Sequence, residues 1–317
     1  MSSNGVVVGL DFNHDRIHVA LGDRAANVLG EVAADIDVDN SAAEAVDAAV
    51  EMVEALRVSA GVEKSQLVGA GVGVPGPIDD RTGALASAEI LPGWAGLPAR
   101  EALSRRLGLP VQVENDANLG ALGEATLGAG RGLQHVFYVR VASGIGAGLV
   151  IGGKLYRGAA GMAGEIGHVQ VRADGLLCRC GNRGCLETAA SERAILAVLR
   201  PTRGDGITRQ TIFDLLAADD VGVSRVISDA GRAIGRVLAD ICNVFNPEAV
   251  VIGGELAEAG DPLLSGIRES IDRFALPSVA QVVKVLPAEL GERAEVLGAL
   301  VLASTPDQVT ADRALPG

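Results

Sequence analysis

The chain has 317 residues, of which 48% are hydrophobic and 21% charged, and it contains 42 glycines. This composition is typical of a globular α/β protein large enough for two domains, and it excludes a disordered or fibrous chain. The formal net charge of −13 disfavours polyanions, so we expect no nucleic acid to be bound by this chain alone. The sequence has no signal-peptide pattern and no uncharged apolar run of about 18 residues, so we expect a cytoplasmic protein without a membrane span.

The first part of the chain alternates between apolar runs that predict strands and amphipathic runs that predict helices. The predicted strands are 5–12, 16–21, 28–33, 66–74 and 111–113. The predicted helices are 41–59, 98–107 and one that follows residue 118 and ends near 127. Ser41 is expected to cap the first helix, and Pro75, Gly76 and Pro77 to form a rigid turn after the fourth strand.

The same pattern begins again after the glycine-rich segment 128–132. The predicted strands there are 136–141, 148–151, 154–157, 249–252 and 282–286. The predicted helices are 191–199, 212–218, 224–245, 263–274 and 293–303. Both halves open with three strands, which indicates a duplicated α/β unit and hence two α/β domains with a cleft between them. The expected parts are the domains 1–118 and 119–292, a last helix at about 293–304, and a frayed tail, 305–317.

A compact group of potential metal ligands lies in the second half of the chain. Three of the four cysteines and one of the four histidines fall within 18 residues, as His168, Cys178, Cys180 and Cys185. One histidine and three cysteines are the number and type of ligands that structural zinc takes, with no position left open for catalysis. The alternatives are a loop with isolated buried cysteines or a disulfide, and nothing else in the sequence indicates the secretion that a disulfide requires.

Two motifs around these ligands resemble the ROK family of bacterial sugar kinases and sugar-responsive repressors. They are Gly-Glu-Ile-Gly-His at 164–168 and Cys-x-Cys-Gly-x-x-Gly-Cys-x-Glu at 178–187. The resemblance includes the glycine pattern upstream and covers about residues 6 to 303. It implies a two-domain actin-like ATPase fold of the hexokinase, ribonuclease H-like type, with a zinc-bearing lobe at 164–187. It also implies that the last helix packs back on the first domain and that the chain forms homodimers or homotetramers.

Asn115 and Asp116 follow directly after a predicted strand, where α/β folds commonly place ligands. A carboxylate can accept the proton of an attacking hydroxyl, and an amide offers a donor and an acceptor to a polyol. From these residues alone, a cap of the following helix is the simpler interpretation. The resemblance instead implies that Asp116 is the general base of a sugar kinase, that Asn115 binds the sugar, and that Gly76 brings backbone close to it.

The resemblance implies three further sugar contacts in the second domain, from Glu165, His168 and Glu187. The matching histidine binds a sugar hydroxyl with one nitrogen and zinc with the other, so that the metal supports the pocket. For the two glutamates, the alternative is an ordinary solvated surface charge. The match is incomplete near Trp94, because Ile90 stands where the sugar kinases commonly have an asparagine.

The expected nucleotide site departs further from the kinases. By the resemblance, they carry Asp-x-Gly-Gly-Thr-Lys at the first hairpin turn, where glycines let backbone amides approach phosphate. This chain has Asp-Phe-Asn-His-Asp-Arg at 11–16, so Asp15 replaces the threonine and would repel phosphate oxygens. Strand turns need glycine in any case, so glycines elsewhere are weaker indications of a nucleotide site. The residues closer to the kinase form are Ser143, Gly144, Gly146, Gly253 and Gly254.

These features support two hypotheses of different classes. The first is the sugar-sensing part of a transcriptional regulator, because a degenerate first phosphate loop is typical of the repressor branch, whose N-terminal helix-turn-helix has no counterpart in this sequence. The second is an ATP-dependent kinase of a hexose or an N-acetyl amino sugar, with Mg-ATP as cosubstrate and Asp116 as general base. A third hypothesis is a purely structural zinc protein.

Overall fold

The computed structural model describes residues 5–76, 78–79, 84–85, 92–94 and 97–305. The chain divides into two compact units. The first unit contains Met1–Thr126, Arg157–Met162 and Arg293–Gly317, and the second contains Leu127–Tyr156 and Ala163–Glu292. The division after Thr126 differs from the expected boundary at 118, because residue 118 lies inside a helix of the first unit. The segment Arg157–Met162 also belongs to the first unit, although the sequence places it in the second domain.

Strands and helices alternate along the described chain. The strands are β1 (Val6–Asn13), β2 (Arg16–Asp23), β3 (Val28–Asp35), β4 (Leu67–Val74), β5 (Ile78–Asp79), β6 (Ala84–Leu85), β7 (Val111–Asn115), β8 (His135–Val141), β9 (Ile145–Ile151), β10 (Lys154–Tyr156), β11 (Ala249–Gly253) and β12 (Lys284–Pro287). The helices are α1 (Ala42–Ser59), α2 (Ala99–Leu107), α3 (Asp116–Leu127), α4 (Glu187–Ala190), α5 (Glu192–Arg203), α6 (Arg209–Ala217), α7 (Val221–Phe245), α8 (Asp261–Phe274), α9 (Pro277–Ala280) and α10 (Ala294–Ser304).

The first unit is built on a five-stranded sheet in the order β3-β2-β1-β4-β7. The β1–β2 and β2–β3 pairs are antiparallel, and the β1–β4 and β4–β7 pairs are parallel. The residues of β1 from Val6 to Leu10 are all buried, as expected of a central strand covered on both faces. Trp94 packs edge-on against Phe12 in the same core, and its indole nitrogen donates to the carbonyl of Val38 at 3.0 Å.

Helix α10 lies against the first sheet at very short range. A side chain at Gly71 of β4 would meet the backbone oxygen of Ala299 at 2.1 Å. Gly298 has the same restriction, since a side chain there would meet the backbone oxygen of Leu119 on α3 at 1.9 Å. Glycine at these two positions is therefore required by the close approach of backbones. The contact with α3 anchors the helix that begins at Asp116, one of the candidate sugar residues.

The second unit repeats the topology of the first, with the strand order β10-β9-β8-β11-β12. The β8–β9 and β9–β10 pairs are antiparallel, and the β8–β11 and β11–β12 pairs are parallel. Its apolar core joins β8, β9 and β11 to α5, α7 and α8. Both sheets thus have the same strand order and the same strand directions, in agreement with the duplicated α/β unit inferred from the sequence.

Several element boundaries differ from those predicted. β9 begins at Ile145 rather than 148, because Val141 and Ile145 already pair across a short turn. β12 begins at Lys284 rather than 282, since the short helix α9 precedes it. α7 begins at Val221 rather than 224, with Asp220 as its N-cap. The sequence does not predict α4 or the β5–β6 hairpin, because segments this short carry no periodic pattern.

None of the described helices is long and apolar enough to cross a membrane. Three expectations concern residues outside the described ranges. They are the turn at Pro77, the altered contact at Ile90, and the frayed tail from residue 306 onward.

Candidate metal centre and sugar site

The four predicted metal ligands converge in the second unit. One donor atom from each of His168, Cys178, Cys180 and Cys185 lies within 4.8 Å of the others. The Cys180 and Cys185 sulfurs are 3.7 Å apart, and the Cys178 sulfur is 3.6 Å from Nδ1 of His168. Zinc–sulfur bonds of about 2.3 Å and zinc–nitrogen bonds of about 2.1 Å at tetrahedral angles give separations of about 3.8 Å and about 3.6 Å. The group therefore fits a tetrahedral metal ion.

The loop from Cys178 to Cys185 is folded into this shape by its own backbone. The amide of Cys178 donates to the carbonyl of Asn182 at 2.7 Å, and the amide of Gly181 donates to the carbonyl of Cys178 at 3.0 Å. Gly181 has a φ of +88° and Gly184 a φ of +66°, in the left-handed region that favours glycine. The two glycines therefore allow the tight turn that brings the thiols of this loop together.

The three thiols have different environments. Cys178 and Cys185 are buried, whereas Cys180 is exposed. Burial, followed by hydrogen bonds with the neighbouring thiols, raises the pKa of Cys185 to about 12. The backbone amide of Asn182 lowers the pKa of Cys180. A cation held by the group would favour the thiolate form of every cysteine, because metal binding displaces the thiol proton.

His168 lies between the metal-ligand group and a carboxylate. Its Nδ1 faces Cys178, while Nε2 is 3.8 Å from Oε2 of Glu165. The helical turn Ile166–His168 sets this arrangement, and the Glu165 side chain is 41% exposed. A metal ion on Nδ1 would fix the ring and leave Nε2 available to a ligand. The alternative of a solvated surface charge stays open for Glu165.

Glu187 begins α4, two positions after Cys185, and its carboxylate is buried. Oε2 accepts from Nη2 of Arg179 at 3.1 Å and from the backbone amide of Ile145 at 3.4 Å. Oε1 lies 3.7 Å from Nη2 of Arg193. Because its side chain is only 8% exposed, the interpretation of Glu187 as a solvated surface charge is wrong. The carboxylate instead joins the metal loop to β9 and α5.

The second glycine turn, between β8 and β9, is held by the same groups. The amide of Ala142 donates to the carbonyl of Gly144 at 2.9 Å, which closes the turn. Nε of Arg193 donates to the carbonyl of Ser143 at 2.9 Å. A side chain at Gly144 would meet Oε2 of Glu187 at 2.7 Å and would have to displace that carboxylate.

The other glycines expected near a nucleotide also have structural reasons. A side chain at Gly253 would meet the Tyr138 hydroxyl at 2.4 Å. Gly254 has a φ of +80°, and a side chain there would meet the carbonyl of Val141 at 2.6 Å. Gly146 lies within β9. The nucleotide contacts expected of these residues stay predictions.

Asn115 and Asp116 lie in the first unit, where β7 passes directly into α3. Oδ1 of Asn115 accepts from the amide of Asn118 at 3.2 Å, and its Nδ2 donates to the carbonyl of Gly76 at 3.0 Å. Asn115 therefore bonds to the first turn of α3 and also holds the turn after β4. Oδ1 of Asp116 accepts from the amide of Ala117 at 2.8 Å. The expected sugar contacts of both residues stay predictions.

Glu114 is a buried acid that the sequence analysis misses. Its side chain is 6% exposed, and its Oε2 is 2.6 Å from Nε of Arg157. Its Oε1 accepts from the amide of Asn115 and from Nδ2 of Asn118, both at 2.9 Å. An acid at the end of an apolar strand is the signal that could have identified it, since an unpaired Glu is almost never buried.

The first hairpin turn is occupied by polar side chains. Asn13 pairs with Arg16, so His14 and Asp15 form a two-residue turn between β1 and β2. Nδ1 of His14 lies 2.7 Å from Oδ1 of Asp39. Asp15 is exposed at the tip of the turn. A fixed imidazole and a carboxylate therefore stand where the kinases are expected to have glycine and threonine.

The residues expected to bind sugar are divided between the two units, and each set is described by itself. Within the first unit, Asn115 contacts Gly76, and within the second, Glu165 lies beside His168. The set in the first unit is Gly76, Asn115 and Asp116, and the set in the second is Glu165, His168 and Glu187.

Comparisons with known proteins agree with the motifs and the topology. The model of the ROK family matches residues 7–306. The chain is 32% identical over 312 residues to the xylose repressor of Caldicellulosiruptor bescii, which covers 94% of this chain and 78% of the repressor. It is 33% identical over 311 residues to the glucokinase of Thermotoga maritima, which covers 92% of this chain and 95% of the glucokinase.

A solved structure gives the same result for the fold. The ROK family glucokinase from Streptomyces griseus, in complex with glucose and AMPPNP, matches with a TM-score of 0.82 and 32% identity. The match covers 94% of this chain and 99% of that chain. The predicted α/β fold of the hexokinase type is thereby confirmed.

Proposed function

Because the chain belongs to the ROK family, we propose that it binds a sugar as the sensing part of a sugar-responsive transcriptional regulator. Its relatives include both xylose repressors and glucokinases, so membership alone does not choose between sensing and phosphorylation. The observation that carries the choice is the β1–β2 turn, where Asp15 is exposed and His14 is paired with Asp39.

The chemistry of that turn disfavours a nucleotide. Phosphate groups in proteins are held by backbone amides, glycine-rich turns and cations. An exposed carboxylate at the tip of the turn repels phosphate oxygens, and the ordered His14–Asp39 contact leaves the turn with less freedom to rearrange. The second glycine turn lacks such a carboxylate at its tip, but half of a phosphate site does not support catalysis.

The proposed sugar ligands offer the hydrogen-bonding groups that a polyol requires. Carboxylates accept from hydroxyl groups, and the amide and imidazole each provide a donor and an acceptor. A sugar held in this way would be recognised by its hydroxyl pattern without a covalent step. The proposed ligands are Gly76, Asn115, Asp116, Glu165, His168 and Glu187.

Zinc is the metal that we propose for the histidine–cysteine group. Four protein donors would complete its coordination, so the ion would be structural rather than catalytic. With Nδ1 of His168 on the metal, Nε2 would be oriented toward the sugar, so that metal binding supports sugar binding. Reduced thiols of this kind are typical of the cytoplasm, where we place the protein, as a homodimer or homotetramer.

A specific observation favours the alternative function of a sugar kinase. The Thermotoga maritima glucokinase matches over 95% of its own length, and Asp116 is present as the expected general base. In that case Asp116 would accept the proton of the attacking sugar hydroxyl, and Mg-ATP would supply the phosphoryl group.

Calorimetric titration of the zinc-loaded protein separates the two functions. The protein is titrated with xylose, glucose and N-acetylglucosamine, each with and without MgATP, and phosphorylation is measured in the same samples. The sensor predicts sugar binding without nucleotide binding or phosphorylation. If MgATP binds more tightly in the presence of sugar and a sugar phosphate forms, the sensor hypothesis is wrong and the protein is a sugar kinase. Failure of every sugar to bind would overturn both functions.

A further inference from the structure

Arg179 occupies a special position in the metal loop. It lies directly between two of the metal ligands, Cys178 and Cys180, so its backbone position is set by any ion that they hold. Its side chain contacts the buried carboxylate of Glu187, with Nη2 3.1 Å from Oε2. The Arg179 side chain is 34% exposed and that of Glu187 is 8% exposed.

Glu187 also contacts the turn between β8 and β9. The same Oε2 that Arg179 contacts also accepts from the amide of Ile145 at 3.4 Å. Gly144 lies beside the same oxygen, since a Cβ atom added at this glycine would be 2.7 Å from it. A displacement of the carboxylate therefore weakens the hydrogen bond that it accepts from the turn.

Arg193 of α5 completes the arrangement from the other side. Its Nη2 lies 3.7 Å from Oε1 of Glu187, and its Nε donates to the carbonyl of Ser143 at 2.9 Å. The Arg193 side chain is 59% exposed, so solvent weakens its attraction to the carboxylate. Arg179, which is closer and less exposed, is therefore the principal partner of Glu187.

We propose that Arg179 is a positioning residue that couples metal loading of the loop to sugar binding, through Glu187 and the β8–β9 turn. The inference rests on the proposed sugar-binding function, in which Glu187 is a sugar ligand. It adds a second route from the metal to the pocket, separate from the imidazole of His168.

The physical reason is the burial of Glu187. A buried carboxylate needs charged or hydrogen-bonding partners, and losing its strongest partner changes its orientation. When the loop has no ion, Cys178 and Cys180 are held by the backbone hydrogen bonds of the loop without the metal, so the backbone of Arg179 has more freedom to shift. Among the described residues, the Glu187 carboxylate then keeps the longer contacts with Ile145 and Arg193.

A thermodynamic cycle between the metal and Arg179 tests the proposal. Sugar affinity is measured by calorimetry for the wild type and for Arg179→Gln, each zinc-loaded and each after chelation. The control is Arg183→Gln, which removes the same charge from the same loop and has no ion pair within the described part of the chain. Zinc content is measured for every sample, and circular dichroism verifies that each remains folded.

Chelation is expected to weaken sugar binding by the wild type and by Arg183→Gln by at least about tenfold, the scale of a hydrogen bond to a charged group. Arg179→Gln is expected to retain one zinc per chain, to bind sugar about tenfold more weakly, and to lose much less on chelation. Equal losses on chelation for Arg179→Gln and wild type would overturn the coupling. An unchanged sugar affinity of the wild type after chelation would overturn the coupling as well.

A second variant decides the case if chelation unfolds the protein or Arg179→Gln loses zinc. Arg193→Gln leaves the metal loop unchanged and is expected to weaken sugar binding while zinc content stays at one per chain. Because this contact is longer and more exposed than that of Arg179, a loss of affinity as large as that of zinc-loaded Arg179→Gln would contradict Arg179 as the principal partner of Glu187. By contrast, a wild type that binds none of the sugars overturns the proposed function itself, so the two failures are distinguishable.

Discussion

The turns after β1 and β8 occupy equivalent positions in two sheets of the same topology, yet their chemistry is opposite. The β8–β9 turn contains Gly144, lies on buried Glu187 and is connected through it to the metal loop. The β1–β2 turn contains His14 and Asp15, is tied to Asp39, and carries an exposed carboxylate. Identical topology therefore does not imply identical ligand chemistry, because side chains at the turn decide which groups can approach.

The two turns also differ in how far the contacts that hold them are buried. The β8–β9 turn contacts the carboxylate of Glu187, whose side chain is only 8% exposed, so losing one partner of this acid has a large effect. The His14–Asp39 contact is 34% and 42% exposed at its two side chains, so solvent screens it.

Loss of the metal is expected to have the largest effect, because the β8–β9 side relies on the loop. Cys180→Ser should bind no zinc, lower Tm by roughly 5 °C or more, and weaken sugar binding at the same time. Zinc analysis, thermal unfolding and calorimetry measure the three effects. Cys242→Ala is the matched control. This buried cysteine lies on α7 in the apolar core of the second unit, so its substitution should leave zinc content at one per chain. Unchanged sugar affinity in Cys180→Ser would show that the pocket does not depend on the metal.

Breaking the buried ion pair of the first unit is expected to come next. Arg157→Met leaves Glu114 buried without its charged partner, so the free energy of unfolding should fall by about 3 kcal/mol. Sugar affinity should fall as well, because the same carboxylate holds the Asn115 amide. Urea unfolding measures the loss of stability, with Arg236→Met as the control. Arg236 pairs with Asp240, and the two side chains are 47% and 65% exposed, so the comparison separates the effect of burial from the loss of an ion pair. Equal losses in the two variants would contradict this interpretation.

Conversion of the β1–β2 turn tests the contrast directly. The triple variant Asn13→Gly, His14→Gly, Asp15→Thr removes the carboxylate and restores the glycines expected of a phosphate loop. MgATP affinity should rise by about tenfold, because the repulsion disappears and backbone amides become accessible. Calorimetry measures the MgATP affinity of the wild type, the triple variant and Asp15→Asn. Because Asp15→Asn removes only the charge, the comparison separates the effect of the carboxylate from the effect of the loop shape. A wild type that already binds MgATP as tightly as the triple variant would remove the contrast between the turns.

Weakening the exposed pair at the same turn is expected to have the smallest effect. Asp39→Asn should change the free energy of unfolding by less than about 1 kcal/mol, and salt should reduce the difference further. Urea unfolding at low and high ionic strength measures both effects. A loss as large as that of Arg157→Met would mean that the β1–β2 turn is as strongly supported as the buried sites.

The metal-ligand group shows how far local sequence can determine a site. Its four residues lie within 18 positions, and the two left-handed glycines between Cys180 and Cys185 are part of the motif itself. Short loops of this kind have few ways to close, so residue type and spacing are sufficient to predict the geometry. The apolar runs likewise predict most strands and helices, because burial requires a periodic pattern.

The charged contacts that support the site were decided only by the tertiary structure. Glu114 and Arg157 are 43 positions apart, and Ile145 and Glu187 are 42 apart. No local pattern indicates which distant arginine or amide will reach a given carboxylate, because the partner depends on how the strands pair and how the helices pack. The sequence by itself therefore determined the family, the repeated α/β pattern and the four residues that could hold a metal ion. Folding alone decided which acids are buried, and burial is what makes Glu114 and Glu187 different from the surface acids around them.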